Sequence, residues 1–135
     1  MAVSVRGRVL LTGRAAGPLL VLRAPISFWG GVDPATGVIT NAHHPDRGAS
    51  IKGTILALPG TIGSSGGSGI LLELLYTGAA PAGLLLAEPD AILAMGAVVA
   101  REMDYARMPV LQAPLEGLES GRNATITEDG TLTLD

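Results

Sequence analysis

Apolar residues are spread unevenly along the chain, and their spacing divides it into three stretches. In the first, residues 6–12 (RGRVLLT) and 18–24 (PLLVLRA) are short strand candidates around Gly13 to Gly17, and this part reads as antiparallel. The middle stretch alternates. Residues 54–58 (TILAL), 83–87 (GLLLA) and 108–112 (MPVLQ) predict strands that are apolar on both faces. Between them, residues 68–77 (SGILLELLYT) predict a helix that is apolar around most of its circumference. A second helix is predicted over about residues 91–103, capped by Asp90, with Ile92, Met95 and Val99 on one face. In the last stretch, residues 123–127 (NATIT) and 131–134 (TLTL) flank Glu128-Asp129-Gly130, a hairpin signal.

Uniformly apolar strands separated by helices indicate a parallel sheet buried on both faces, with right-handed crossovers. Antiparallel strands from the two chain ends would cover one face and the helices the other. The expected fold is therefore α/β, in three β/β/α layers, with a parallel central sheet and an antiparallel outer sheet. At 135 residues the chain suits a single domain over 1–135. No repeat or long linker interrupts it.

Composition narrows the function. The chain is 47% hydrophobic and 16% charged, which excludes a disordered tail. Aromatic residues make up only 3%, so aliphatic packing must dominate and a base-stacking surface is disfavoured. The net charge is −3 with no basic stripe, which argues against nucleic acid. Cysteine is absent, so disulfides, thiol chemistry and a cysteine-held iron–sulfur cluster within this chain are excluded. The beginning, MAVSVRGRVL, has no apolar signal core, and apolar stretches fall short of the ~20 residues that span a bilayer. A soluble cytoplasmic protein is the expectation. The Asn123-Ala124-Thr125 triplet is then a coincidental glycosylation match.

The densest chemical signal is Pro59-Gly60-Thr61-Ile62-Gly63-Ser64-Ser65-Gly66-Gly67-Ser68-Gly69. It follows an apolar strand and opens an apolar helix. Amides in such a turn and the helix dipole both favour an anionic group, and small residues allow it close approach. The segment lacks the Gly-Lys-Ser/Thr of a nucleotide P-loop and the order Gly-x-Gly-x-x-Gly. A glycine turn with serine caps is the bland alternative.

The other dense segment is SFWGGVDPATGVITNAHHPDRG, Ser27 to Gly48, with two X-Pro steps, Asp33-Pro34 and His44-Pro45. Phe28 and Trp29 either join the core or wall a pocket. Asp33 reads as a turn cap. His43 and His44 are adjacent and lack a supporting carboxylate cluster, so no metal site is assigned to this chain. His44 is the better candidate for a site, against a plain turn role. Glu73 is expected to face solvent or a partner, and Arg101, Glu102 and Asp104 to lie on a solvated helix end.

Together with KGTILALPGTIGSSGGSGILLE and AGLLLAEPDAILAMGAVVARE, the Ser27–Gly48 segment resembles the swivelling domain, or small subunit, of the aconitase X family. The likeness covers roughly residues 5–112. It implies the β/β/α layering reached above and a hydro-lyase that works only with a large aconitase X subunit. An iron or iron–sulfur centre is expected in that large subunit and no cofactor in this chain. The family divides mainly between cis-3-hydroxy-L-proline dehydratases and phosphomevalonate dehydratases, and the hydroxyproline activity is the leading expectation. A non-catalytic binding or regulatory module on the same fold is the alternative of another class. Phosphohistidine transfer is disfavoured, because both histidines lie outside the glycine/serine turn.

The resemblance also implies roles. In the wider aconitase superfamily the first serine of a Gly-Ser-Ser turn removes a proton from the substrate, and Gly63-Ser64-Ser65 matches. Ser64 is thus the expected base, with Ser65, Ser68, Gly66 and His44 as expected substrate-binding residues. Two departures stand out. Gly66 occupies the place of an arginine that grips a carboxylate in aconitase, and Ile62 replaces an arginine found in many family members just before Gly-Ser. Substrate charge must then be met by amides or by the large subunit, which counts mildly against phosphomevalonate.

Overall fold

A computed structural model of the chain describes residues 3–62 and 66–135. Its core strands are β4 (Ile55–Leu58), β5 (Gly83–Leu86) and β6 (Val110–Gln112), which run parallel in that order. All four residues of β4 and all four of β5 are buried. Successive side chains on a strand point to opposite faces. Leu56, Leu58, Leu84, Leu86 and Val110 therefore join one apolar cluster with helices α2 (Gly66–Thr77) and α3 (Ala91–Glu102). Ile55, Ala57, Leu85 and Leu111 join a second cluster on the opposite face. That second cluster is closed by Ala124, Ile126, Leu132 and Leu134 of the antiparallel hairpin β7 (Asn123–Ile126) and β8 (Thr131–Leu134). Burial on both faces is what the unbroken apolar runs predict, and the β/β/α layering follows.

Strand β3 (Ala15–Val21) links the two sheets. Its first half, Ala15 to Pro18, pairs antiparallel with β7, and its second half, Leu19 to Val21, pairs parallel with β4. Beside the junction, Gly17 lets the Gly53 carbonyl oxygen come within 2.2 Å of where a Cβ would stand, so any side chain there would collide with backbone. The strand order is β1-β8-β7-β3-β4-β5-β6-β2.

The N-terminus differs in detail from expectation. The 6–12 segment divides at Gly7 into β1 (Val3–Arg6), which pairs with β8, and β2 (Arg8–Leu11), which pairs with β6. Both pairings are antiparallel, but β2 and β3 are not partners. One short stretch crosses from the outer sheet to the central one, with the Gly7 amide donating to the Gly130 carbonyl at 2.8 Å. The central sheet is therefore parallel except at its β2 edge.

Helix α3 begins where expected: the Asp90 side chain accepts from the Leu93 amide at 2.9 Å. Its buried face is not the expected one. Ile92 and Met95 are 57% and 54% exposed, whereas Leu93, Gly96, Ala97 and Ala100 are buried. The cause is the closeness of α2, since a Cβ on Gly96 would stand 2.4 Å from the Ser68 carbonyl oxygen. Only small side chains fit that seam. Among the described residues no helix is long and apolar enough to cross a membrane.

Candidate active site

The carboxyl ends of the parallel strands form one rim of the molecule, the edge where ligands of open α/β sheets bind. Beyond Leu58 the chain continues extended. The Ile26 amide donates to the Gly60 carbonyl at 3.4 Å and the Ile62 amide to the Ile26 carbonyl at 3.1 Å, and Ile26 and Thr61 form a parallel bridge. Helix α2 starts at Gly66. Gly63, Ser64 and Ser65, on which the proton-abstraction expectation falls, lie outside the described residues, between Ile62 and Gly66.

What surrounds that segment is described. Gly66, an expected substrate contact, is the first residue of α2 and half-buried, as is Ser68 two positions on. Gly67 is buried, with Phe28 Cβ 3.8 Å from where its own Cβ would stand. Phe28 is thus the floor under the helix start. Its neighbour Trp29 turns outward and is 63% exposed, and Ile62, the residue before the serine segment, is 59% exposed. Phe28 and Trp29, adjacent in sequence, divide between core and surface because the single helical turn α1 (Phe28–Gly31) is broken at Trp29 and Gly30. Trp29, Asp33, Pro34, Thr40 and Ile70 line an open cleft of about 450 Å³ beside α2.

The Ser27–Gly48 segment is built into the core rather than draped over it. Phe28, Val32 and Ile39 belong to the helix-side cluster. Asp33 caps its turn, its carboxylate accepting from the Ala35 amide at 2.9 Å. The His44 ring is 2% exposed. Its Nδ1 accepts from the Asp46 amide at 3.0 Å, so the proton sits on Nε2, which donates to the Ala24 carbonyl at 3.0 Å. Both nitrogens are engaged with the chain itself. The same corner holds Arg23, which reaches Asp46 Oδ1 with Nε at 2.9 Å and Oδ2 with its amide at 2.8 Å. His44 is thereby a buttress fastening this loop to the chain just beyond β3. His43 is exposed.

One contact was not visible in the sequence. The Thr61 hydroxyl donates to Asp90 Oδ2, and both residues are part-buried. Asp90 was legible only as a helix cap, because 29 residues separate the two positions. Glu73 is exposed as expected, with Tyr76 beside it stacked edge-on against Tyr105 at 4.9 Å between ring centroids. Among the described residues no three His, Asp or Glu side chains gather where they could hold a metal ion.

Known proteins share this architecture and sequence. The chain matches the aconitase X swivel domain family over residues 4–134. It is 48% identical over 103 residues to a cis-3-hydroxy-L-proline dehydratase of Pseudomonas aeruginosa, covering 76% of this chain but only 18% of that protein. It therefore spans less than a fifth of the length of that relative. It is 38% identical over 129 residues to the phosphomevalonate dehydratase small subunit of Methanocella arvoryzae, covering 96% of this chain and 95% of that one. The crystal structure of Thermococcus kodakaraensis aconitase X in its holo form superposes with a TM-score of 0.88 at 33% identity, covering 98% of both chains. By the family match over residues 4–134 and the superposition over 98% of its length, the chain belongs to the aconitase X swivel domain family.

Proposed function

We propose that this chain is the one-domain small subunit of a two-subunit hydro-lyase that dehydrates cis-3-hydroxy-L-proline, with Ser64 as the base. The observation that carries the reading is the position of the Gly-Ser-Ser segment. In the chain it falls between Ile62, which follows the extended stretch beyond β4, and Gly66, the first residue of α2. An alkoxide is normally inaccessible to serine. Amides at the start of a 12-residue helix, with the helix dipole behind them, favour negative charge at that point. Ser65, Ser68 and the Gly66 amide are then the groups that hold the substrate. His44 contributes by fixing the loop that carries Phe28 and Trp29.

In this reading a proton leaves the carbon next to the substrate carboxylate and passes to Ser64, and hydroxide departs from the neighbouring carbon. An iron or iron–sulfur centre bound by the large subunit would supply Lewis acidity to the departing hydroxyl. This chain's residues hold the substrate and take the proton. Exposed Trp29 and Ile62 beside the segment fit a rim that closes against a second protein. A heterodimer in the cytoplasm is the simplest assembly.

The 48% identity to the hydroxyproline enzyme supports the substrate, as do Ile62 and Gly66, which leave no arginine to grip a phosphate. The phosphomevalonate reading draws on the end-to-end match to a separate small subunit. The test is to co-purify the chain with its large subunit and assay both dehydrations. Turnover of cis-3-hydroxy-L-proline by the pair, and none by either chain alone, is expected. Turnover of phosphomevalonate alone transfers the assignment to the second reading. Activity with neither substrate favours a non-catalytic module.

A further inference from the structure

We propose that helix α3 holds the two described flanks of the serine segment, Thr61 before it and Ser68 after it, with Thr61 and Asp90 as positioning residues. The catalytic consequence rests on the reading above; the geometry does not. Thr61 lies two residues before the segment, and its hydroxyl is held by Asp90 Oδ2. The other oxygen of the same carboxylate holds the Leu93 amide at 2.9 Å, so one side chain ties the entry of the segment to the first turn of α3. The exit is held by the same helix six residues on. There Gly96 lies against the Ser68 carbonyl, so closely that a Cβ would stand 2.4 Å from its oxygen. One rigid helix thus fixes both flanks of residues 63–65. The backbone bridge between Thr61 and Ile26 fixes the entry from the opposite side.

The arrangement answers a physical need. A serine base must be held within a fraction of an ångström of the proton it removes, and loops seldom hold such tolerances unless rigid elements brace them. Both residues of the Thr61–Asp90 bond are part-buried, so water competes poorly for it.

Four variants separate positioning from plain stability. Thr61→Val removes the hydroxyl at constant shape. Thr61→Ser keeps it. Asp90→Ser retains a helix cap but is too short to reach residue 61. The double variant Thr61→Val/Asp90→Ser reports coupling. In nitrogen–proton spectra of the full chain, Thr61→Val and Asp90→Ser should shift the Gly63–Gly66 amides and speed their hydrogen exchange. The β7–β8 hairpin should be unmoved, Thr61→Ser should match the parent, and the double variant should be no worse than either single. In the reconstituted pair kcat should fall at least about tenfold with KM within about twofold, and Thr61→Ser should restore it. Unmoved amides in both single variants, or equal disturbance by Thr61→Ser, would overturn the proposal. An inert Ser64 would defeat the functional reading while leaving the spectral result standing.

Discussion

Replacing Gly96 by alanine adds one methyl group where α2 and α3 pass each other. The new Cβ would stand 2.4 Å from the Ser68 carbonyl oxygen, 3.2 Å from its carbon and 3.3 Å from Leu71 Cβ. A carbon–oxygen contact settles at about 3.3 Å or more, so the helices must separate by most of an ångström. Overpacking of this kind costs about 1–3 kcal/mol. Alanine is the better helix former by about 1 kcal/mol, which offsets part of that loss. A net loss of up to about 2 kcal/mol remains, or up to roughly 8 °C in Tm for a domain of this size. Gly69→Ala is the matched control. It lies on α2, exposed, with nothing within 4 Å of its missing Cβ, and should stabilise by about 0.5–1 kcal/mol. Thermal and urea unfolding of both variants measure the contrast. Equal stabilisation by the two alanines would refute the close seam between the helices, and with it the bracing of Ser68 by α3.

Phe28→Ala should cost about 3–5 kcal/mol in urea unfolding, because its ring is buried beneath α2. Trp29→Ala should alter the chain's own stability by less than about 0.5 kcal/mol yet weaken assembly with the large subunit, measured by titration calorimetry. At the hairpin, the Thr127 hydroxyl and the Thr131 groups hold the Asp129 pKa down to about 2 from 3.8. A depressed carboxylate contributes stability above its unfolded pKa and loses it as pH falls through the folded value. The parent should therefore lose stability between about pH 4 and pH 2 more steeply than Asp129→Asn, measured by denaturation across that range.

The layered fold was legible in the sequence because its central strands are apolar on both faces, a pattern that only a sandwiched sheet satisfies. Glu128-Asp129-Gly130 announced the last hairpin, and Asp90 announced α3. The pairing of the N-terminus was not legible, since nothing local at Gly7 states that the chain changes sheets there. Nor was the buried face of α3. Periodicity selects large apolar residues, and Ile92, Met95 and Val99 make a stripe. The packing instead demanded small ones, because Gly96 meets the Ser68 backbone. Phe28 and Trp29 are neighbours of like hydrophobicity with opposite fates, decided by the break in α1. The serine segment was conspicuous in sequence. The bond between Thr61, two residues before it, and Asp90 was not, being a contact between distant positions. His44 drew notice as a site residue, while its ring is occupied in holding the loop together.

The account turns on whether the Ser64 hydroxyl moves the proton. Turnover of the pair reconstituted with Ser64→Ala, after sedimentation has established that assembly is intact, tests this directly. A kcat lower by about a hundredfold or more with substrate still bound is predicted. Turnover within about twofold of the parent would remove Ser64 from the chemistry and leave the chain a scaffold.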